Sequence, residues 1–359
     1  MSGRRLSPAA WLAAVILALA APADAADAPP PSRTAEPARL AAQALLIAIA
    51  RAGERLVAVG DRGIIVLSDD QGASWSQAQS VPVQTLLTGV CFLDGARGIA
   101  VGHDEVILTS ADAGRSWRLT HYAPEAERPL LDVWCGAGGR AIAVGAYSTY
   151  LTTSDAGASW SECKFAPVPA AAAPGTAPGT AAGTAAADEG AGGGYHLNRI
   201  VSAGGDGPRL YVAAEAGHLY RSDDGGASWR TLASPYEGSF FGVLPLAGQP
   251  GAVLAFGLRG NLYRSENQGA SWRRIDTGTV AMLDGGAQSA DGSVAIVGLS
   301  GTVLVSRDGG RTFILLEQPD HTGLAAAVTA GDRSLVVVGE RGARVVKLTG
   351  VAPAGGSSR

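Results

Sequence analysis

The chain has little of what most ligand sites are made from. Its 359 residues hold five His and three Cys. No two His stand at ligand spacing and no Cys pair resembles a zinc site, so a metal centre is not expected. No glycine-rich motif joins a strand to a helix, which removes the usual phosphate cradle and with it nucleotide cofactors. Lys and Arg total 28 against 32 Asp and Glu, for a net charge of −4. Without a basic field, nucleic acid is excluded as the natural partner. The longest apolar run, residues 9–21, is too short to span a bilayer comfortably. No Cys follows it, which argues against a lipoprotein.

That run has another reading. Arg4 and Arg5 precede it and Ala23-Asp24-Ala25 follows, so residues 1–25 read as a cleaved signal peptide and the mature protein as exported, most simply to a bacterial periplasm. Residues 26–37 form a Pro/Ala-rich leader, expected to be extended and mobile. The body of the chain, 38–349, holds most of the 50 Gly, which with only two Met suits a turn-rich all-β protein.

What fills that body is a repeat. SDDQGASW (68–75) returns as SADAGRSW (110–117), TSDAGASW (153–160), SDDGGASW (222–229), SENQGASW (265–272) and SRDGGRTF (306–313). The pattern is a tight turn between two strands. The acid (Asp70, Asp112, Asp155, Asp224, Asp308, with Asn267 in the fifth copy) accepts hydrogen bonds from its own loop, and the glycine supplies a backbone that side chains resist. The closing aromatic (Trp75, Trp117, Trp160, Trp229, Trp272, Phe313) is expected to bury its ring beside the next unit. These residues are structural, not catalytic.

Successive copies lie 41 to 43 residues apart except for one interval of 69. A period near 42 fits a four-stranded propeller blade. The excess is the Ala/Gly/Pro-rich stretch 166–194, expected to be a disordered insertion. Runs such as RLVAVG (55–60), GIAVG (98–102) and VAIVG (294–298), apolar on both faces, mark seven second strands. The expected fold is therefore an all-β, seven-bladed propeller with a flexible tail at 350–359. The seventh unit, 322–348, has no Asp-containing turn and no fourth strand, so the segment 32–42 is expected to close the ring as that strand. A short helix over 38–50 competes with it, but six later units have a strand at the place of 45–50.

Repeats of this kind resemble those of the bacterial neuraminidase, or Asp-box, propellers of sialidases, xyloglucanases, sorting receptors and photosystem II stability and assembly factors. The run VGDRGIIVLSDDQGASW (59–75), echoed by GLRGNLYRSENQGASW (257–272) and VGERGARVV (338–346), is most similar to the last group. The resemblance covers roughly 40–348 outside the insertion. It implies a non-catalytic binding or assembly module that holds an exported or membrane-embedded protein partner, as a monomer and without a cofactor. The alternative within the same resemblance is a carbohydrate-binding or glycoside-hydrolysing propeller. A sialidase needs an early Arg-Ile-Pro stretch that this chain lacks; for a glycosidase, Asp61 and Asp104, in equivalent turns of adjacent blades, are the carboxylates that could converge.

Turns from second to third strands share a face with the links between blades, opposite the Asp-containing turns. That face displays Arg62, Arg259 and Arg341 at one turn position, with Tyr147, Tyr236 and His103. An Arg/aromatic patch of this composition anchors protein partners. His121, Tyr122, Arg128 and His321 lie in the links, and Asp104 and Glu215 in the turns. Cys91 and Cys135 each stand five residues after a Leu (Leu86, Leu130), which gives them matching places on neighbouring blades. A disulfide is open to them in an oxidising compartment, but matching places are too far apart for its geometry, so buried free thiols are expected, with Cys163 left over.

Overall fold

A computed structural model describes residues 34–169, 194–204, 208–316, 318–331 and 333–348. The signal-peptide expectation, the tail and positions 170–193 of the insertion lie outside the described residues. Within them the chain forms seven antiparallel sheets, six of four strands and a seventh of three. Every second strand, from Arg55–Gly60 to Ser334–Gly339, is buried almost throughout, because neighbouring blades cover both of its faces. The first strands surround the axis. Each packs beside the first strand of the next blade, and Leu324–Thr329 of blade 7 returns to Leu46–Ala52 of blade 1. The result is a seven-bladed propeller.

The ring closes differently from expectation. Residues 34–44 add no strand to blade 7, whose sheet ends at Gly342–Lys347. Ala41–Gln43 makes a short 3-10 turn instead, and a Cβ on Gly342 would strike the Ala42 carbonyl. In blade 1 the equivalent Gly63 faces Val83 O, a carbonyl of the link leading to blade 2. The N-terminal segment thus stands in for the missing inter-blade link, not for the missing strand. The leader's last residues are held as well: Ala35 N donates to Val81 O at 2.8 Å, and Gln77 Nε2 to Glu36 O at 2.9 Å. Apolar packing completes the seam, with Leu46, Ala58 and Val66 of blade 1 against Ala326 and Val338 of blade 7.

The Asp-containing turns repeat one geometry. In blade 1, Ser68 Oγ donates to Asp70 Oδ1 (2.8 Å) and accepts from Gly72 N (2.8 Å), while Ser74 gives Asp70 both its N–H (2.9 Å) and its hydroxyl (2.5 Å). Asn267 keeps the set, its Oδ1 accepting from Ser265 and Ser271 and its Nδ2 donating to Ser271 Oγ. The glycine of each turn abuts the preceding blade: Gly114 (φ +82°) lies against Val57 and Leu67 of blade 1, and Gly157 (φ +83°) against Ile99 and Thr109 of blade 2. The closing aromatic follows it into the same seam. Trp117 joins the core between blades 1 and 2, and Trp229 that between blades 3 and 4. The rings therefore pack on the preceding unit, not the next one as expected.

Cys91 and Cys135 are joined in a disulfide with a Cα–Cα separation of 5.7 Å, against the expectation of free thiols. Strand register gives the reason. Leu87, not Leu86, pairs with Gly102 as Leu130 pairs with Gly145, so Cys91 lies four residues past the reference leucine and Cys135 five. An offset of one residue turns two strand side chains to opposite sides, and here it turns them toward each other across the blade 2–3 seam. A cross-link spanning 44 residues contributes about 2–4 kcal/mol. Cys163 is free and exposed. The first residues of the insertion also belong to the fold, since Val168 N donates to Trp229 O (2.9 Å) and Thr231 N to Val168 O (2.8 Å).

Candidate functional site

Six of the seven turns from second to third strands share one backbone. Their central residue is left-handed in Arg62 (φ 51°), Asp104 (60°), Tyr147 (54°), Ala216 (51°), Arg259 (56°) and Ser300 (56°). This geometry swings the side chain out of the blade, and Arg62 is 82% exposed and Tyr147 50%. Arg259 and His103 are exposed too. Arg341 is exposed in a tighter turn in which Gly342 alone is left-handed. Arg62 and Arg341 stand on adjacent blades across the seam, while blade 6 separates Arg259 from them. Tyr236 is turned inward, its ring 5.9 Å from Phe240 and 6.3 Å from Tyr263 in the blade 4–5 seam. The other five stand exposed on one face but are spread around it instead of forming one patch.

The following position is glycine in five blades, because the link to the next blade, or its N-terminal stand-in, passes against it. Blades 2 and 3 break that rule. Glu105 (φ 49°) and Ser148 (φ 59°) occupy the glycine position in a conformation that costs a side-chain residue on the order of 1 kcal/mol. Glu105 is buried, with Arg128 Nε at 2.8 Å and His121 Nε2 at 3.2 Å; Arg128 also reaches Glu162 at 2.7 Å. His121 and Arg128, expected to be displayed, are thus committed to a network centred on Glu105. Ser148 donates its N–H to Tyr195 O at 2.9 Å. Beside it, His196 lies edge-on to Tyr147 at 5.1 Å and 3.1 Å from the Glu215 carboxylate, and Tyr195 stacks on His218 at 3.9 Å.

Sequence reasoning missed Glu105, Tyr195 and His196. A signal existed for the first: an acid in the column where other blades have glycine.

The first strands carry the second polar region. Each first strand carries a bulge after its leading residue, and in blade 6 the bulged residue is Asp284. Burial pushes the Asp284 carboxyl up to about 6, and the Arg199 charge opposes that rise. Burial also raises Asp132, against the pull of Arg199, whose Nη1 is 3.9 Å away, and of the Ile200 N–H at 3.0 Å. Two carboxyls and one guanidinium, on the first strands of blades 3, 4 and 6, thus influence one another. The pair considered for glycoside chemistry is built otherwise: Asp61 is half-exposed with Arg62 Nε at 3.5 Å, and the buried carboxylate of blade 2 is Glu105, not Asp104. Among the described residues no group of three or more His, Cys, Asp or Glu converges as a metal site.

No protein-family model matches the chain, and no curated protein matches it. Solved structures do. YCF48 bound to D1 peptide is similar over 89% of this chain and 97% of its own, with a TM-score of 0.64 at 15% identity. YCF48 from Cyanidioschyzon merolae matches over 87% and 97%, with a TM-score of 0.62 at 17% identity. The WD40 β-propeller domain of Doa1 matches over 88% and 95%, with a TM-score of 0.62 at 12% identity. At such identities the likeness is one of fold.

Proposed function

We propose that the chain is a non-catalytic Asp-box propeller of the assembly-factor kind, which engages a segment of an exported or membrane protein in the periplasm. The observation that carries this reading is the face of outward-swung turns, where Arg62, His103, Tyr147, Arg259 and Arg341 stand exposed on a rigid ring. Arginine supplies a planar fork of donors, and tyrosine a rigid ring with a hydroxyl at low entropic cost. A propeller of the same fold, YCF48, has been solved with a D1 peptide, which supports a peptide segment of a protein as the class of partner. Among the described residues no helix is long and apolar enough to cross a membrane.

The test is a pull-down from detergent-solubilised envelope, wild type beside the triple variant Arg62→Ala, Arg259→Ala, Arg341→Ala. A membrane protein captured by the wild type and lost from a folded triple variant is the expected result. Equal capture by both would overturn the placement of the site. Capture of nothing, with specific retention on a glycan array, would favour a carbohydrate-binding propeller instead.

A further inference from the structure

Blades 4 and 5 carry the same four residues, LYRS, in their third strands (Leu219–Ser222 and Leu262–Ser265). In both, the strand's arginine is paired across the sheet with another arginine, Arg221 with Arg230 and Arg264 with Arg273. Like charges directly opposite on a sheet repel, so each pair needs a counter-charge.

Blade 4 supplies its own. Asp223 receives Arg221 at 2.9 Å, Arg230 at 3.1 Å and Arg209 at 2.6 Å. Arg221 Nη1 donates to Gln268 O at 3.0 Å, which leaves every guanidinium nitrogen of that residue with a partner.

Blade 5 does not. Glu266 holds the position of Asp223, but its side chain is 63% exposed and it reaches Arg264 through Nη2 only, at 3.1 Å. Gln249 Oε1 accepts from the same Nη2 at 3.0 Å. Nε and Nη1 of Arg264 have no hydrogen-bond partner although the side chain is 1% exposed. Arg273 forms no ion pair among the described residues, and its Nη2 donates to the backbone carbonyl of Arg311 at 3.5 Å; the Arg311 guanidinium, whose Nη1 donates to Asp308 O at 2.8 Å, is a third positive charge acting on Arg264. The turn beside it is the one in which Asn267 replaces the acid, so a further carboxylate is missing. A buried guanidinium with two of its three nitrogens unsatisfied is costly, more so than a neutral group in the same state.

We propose that the seam between blades 5 and 6, on the face of the Asp-containing turns, is an anion site in which Arg264, Arg273 and Arg311 hold a small oxyanion where blade 4 holds the Asp223 carboxylate. The oxyanion takes the charge-assisted hydrogen bonds that Glu266 leaves unmade, and the exposed Glu266 side chain is the part that moves aside for it. Burial lowers the Arg264 pKa; Glu266 opposes this, Arg311 and Arg273 add to it, and Asp308 opposes it. A bound anion would reverse that shift. The site lies on the opposite face from the proposed partner surface and is independent of it.

Isothermal titration of the full chain with inorganic phosphate at fixed ionic strength tests this. One saturable site is expected, weakened about tenfold or more by Arg273→Ala, which is exposed and leaves the fold intact. Arg264→Met should abolish it. Arg230→Ala, in the blade with its own carboxylate, should leave the isotherm unchanged. Competition by acetate would identify the ligand as a carboxylate, and failure of acetate to compete would identify a tetrahedral oxyanion. No saturable heat, or equal weakening by Arg273→Ala and Arg230→Ala, would overturn the proposal.

Discussion

On one face of the ring, six turns in six blades make a common set of hydrogen bonds and press their glycine into the preceding blade. On the other, the turns of six blades share a left-handed backbone but carry Arg, Asp, Tyr, Ala and Ser at the outward position. The first kind is fixed by contacts on both sides: the acid is saturated by its own loop, and the glycine has no room for a Cβ. The second kind is fixed at the backbone only, so its outward side chain is free to serve something outside the molecule. Near-identity across blades thus marks assembly, and variation on a constant backbone marks the surface proposed above for the partner.

The comparison can be broken most forcefully at a turn glycine. Gly114→Val imposes a β-branched residue at φ +82° against Val57 and Leu67, and should cost about 3 kcal/mol or more in urea unfolding. At the exception on the other face, Glu105→Gly restores the rule and relieves the left-handed strain. It should nonetheless cost about 1–2 kcal/mol, because Arg128 and His121 lose the carboxylate they surround. A net gain in stability would mean that the Glu105 network serves function and not the fold.

Asp112→Ala should cost about 1–2 kcal/mol by unfolding of its turn, whereas Asp112→Asn should stay within about 0.5, since Asn267 already makes the same bonds in blade 5. The pH dependence follows from the same hydrogen bonds. Those from Ser74 and Ser68 to Asp70, and from Ser159 and Thr153 to Asp155, hold both carboxyls at about 2. A depressed folded-state pKa stabilises fully above the ordinary carboxyl value, so this contribution is complete above about pH 4 and is lost as pH falls toward 2. Unfolding midpoints measured between pH 6 and 2.5 should show that fall, and a chain with Asn in all six turns should lose most of it. Smallest in stability is Tyr147→Ala, within about 0.5 kcal/mol by thermal unfolding, although it should reduce partner capture.

The architecture was legible because the repeat states it six times, and the buried second strands state it a seventh. Asn267 was readable as harmless for the same reason. What the sequence left closed were matters of one residue or of direction. Choosing Leu86 over Leu87 as the reference hid the disulfide, because a slip of one residue reverses a strand side chain. The side to which Trp117 turns is set by where Gly114 touches blade 1, which no local pattern encodes. The outward Arg and Tyr residues were legible from their turn position; the inward turn of Tyr236 was not, because the Phe240 and Tyr263 rings that receive it come from separate strands. Glu105 could have been found by asking why two blades lack a glycine that the other five have, and why one of them puts a carboxylate there.

The seam between blades 7 and 1 has a consequence in time. Ala42, near the start of the chain, fits against Gly342, near its end. In order of synthesis, and of export if the chain is threaded through a membrane, one half of this joint is among the first parts of the body to emerge and the other among the last. Blades can form one after another as they appear, but the ring stays an open arc until the final one arrives. Closure is therefore a check on completeness: a chain truncated before residue 342 has no carrier for that joint and keeps the apolar flank of blade 1 uncovered.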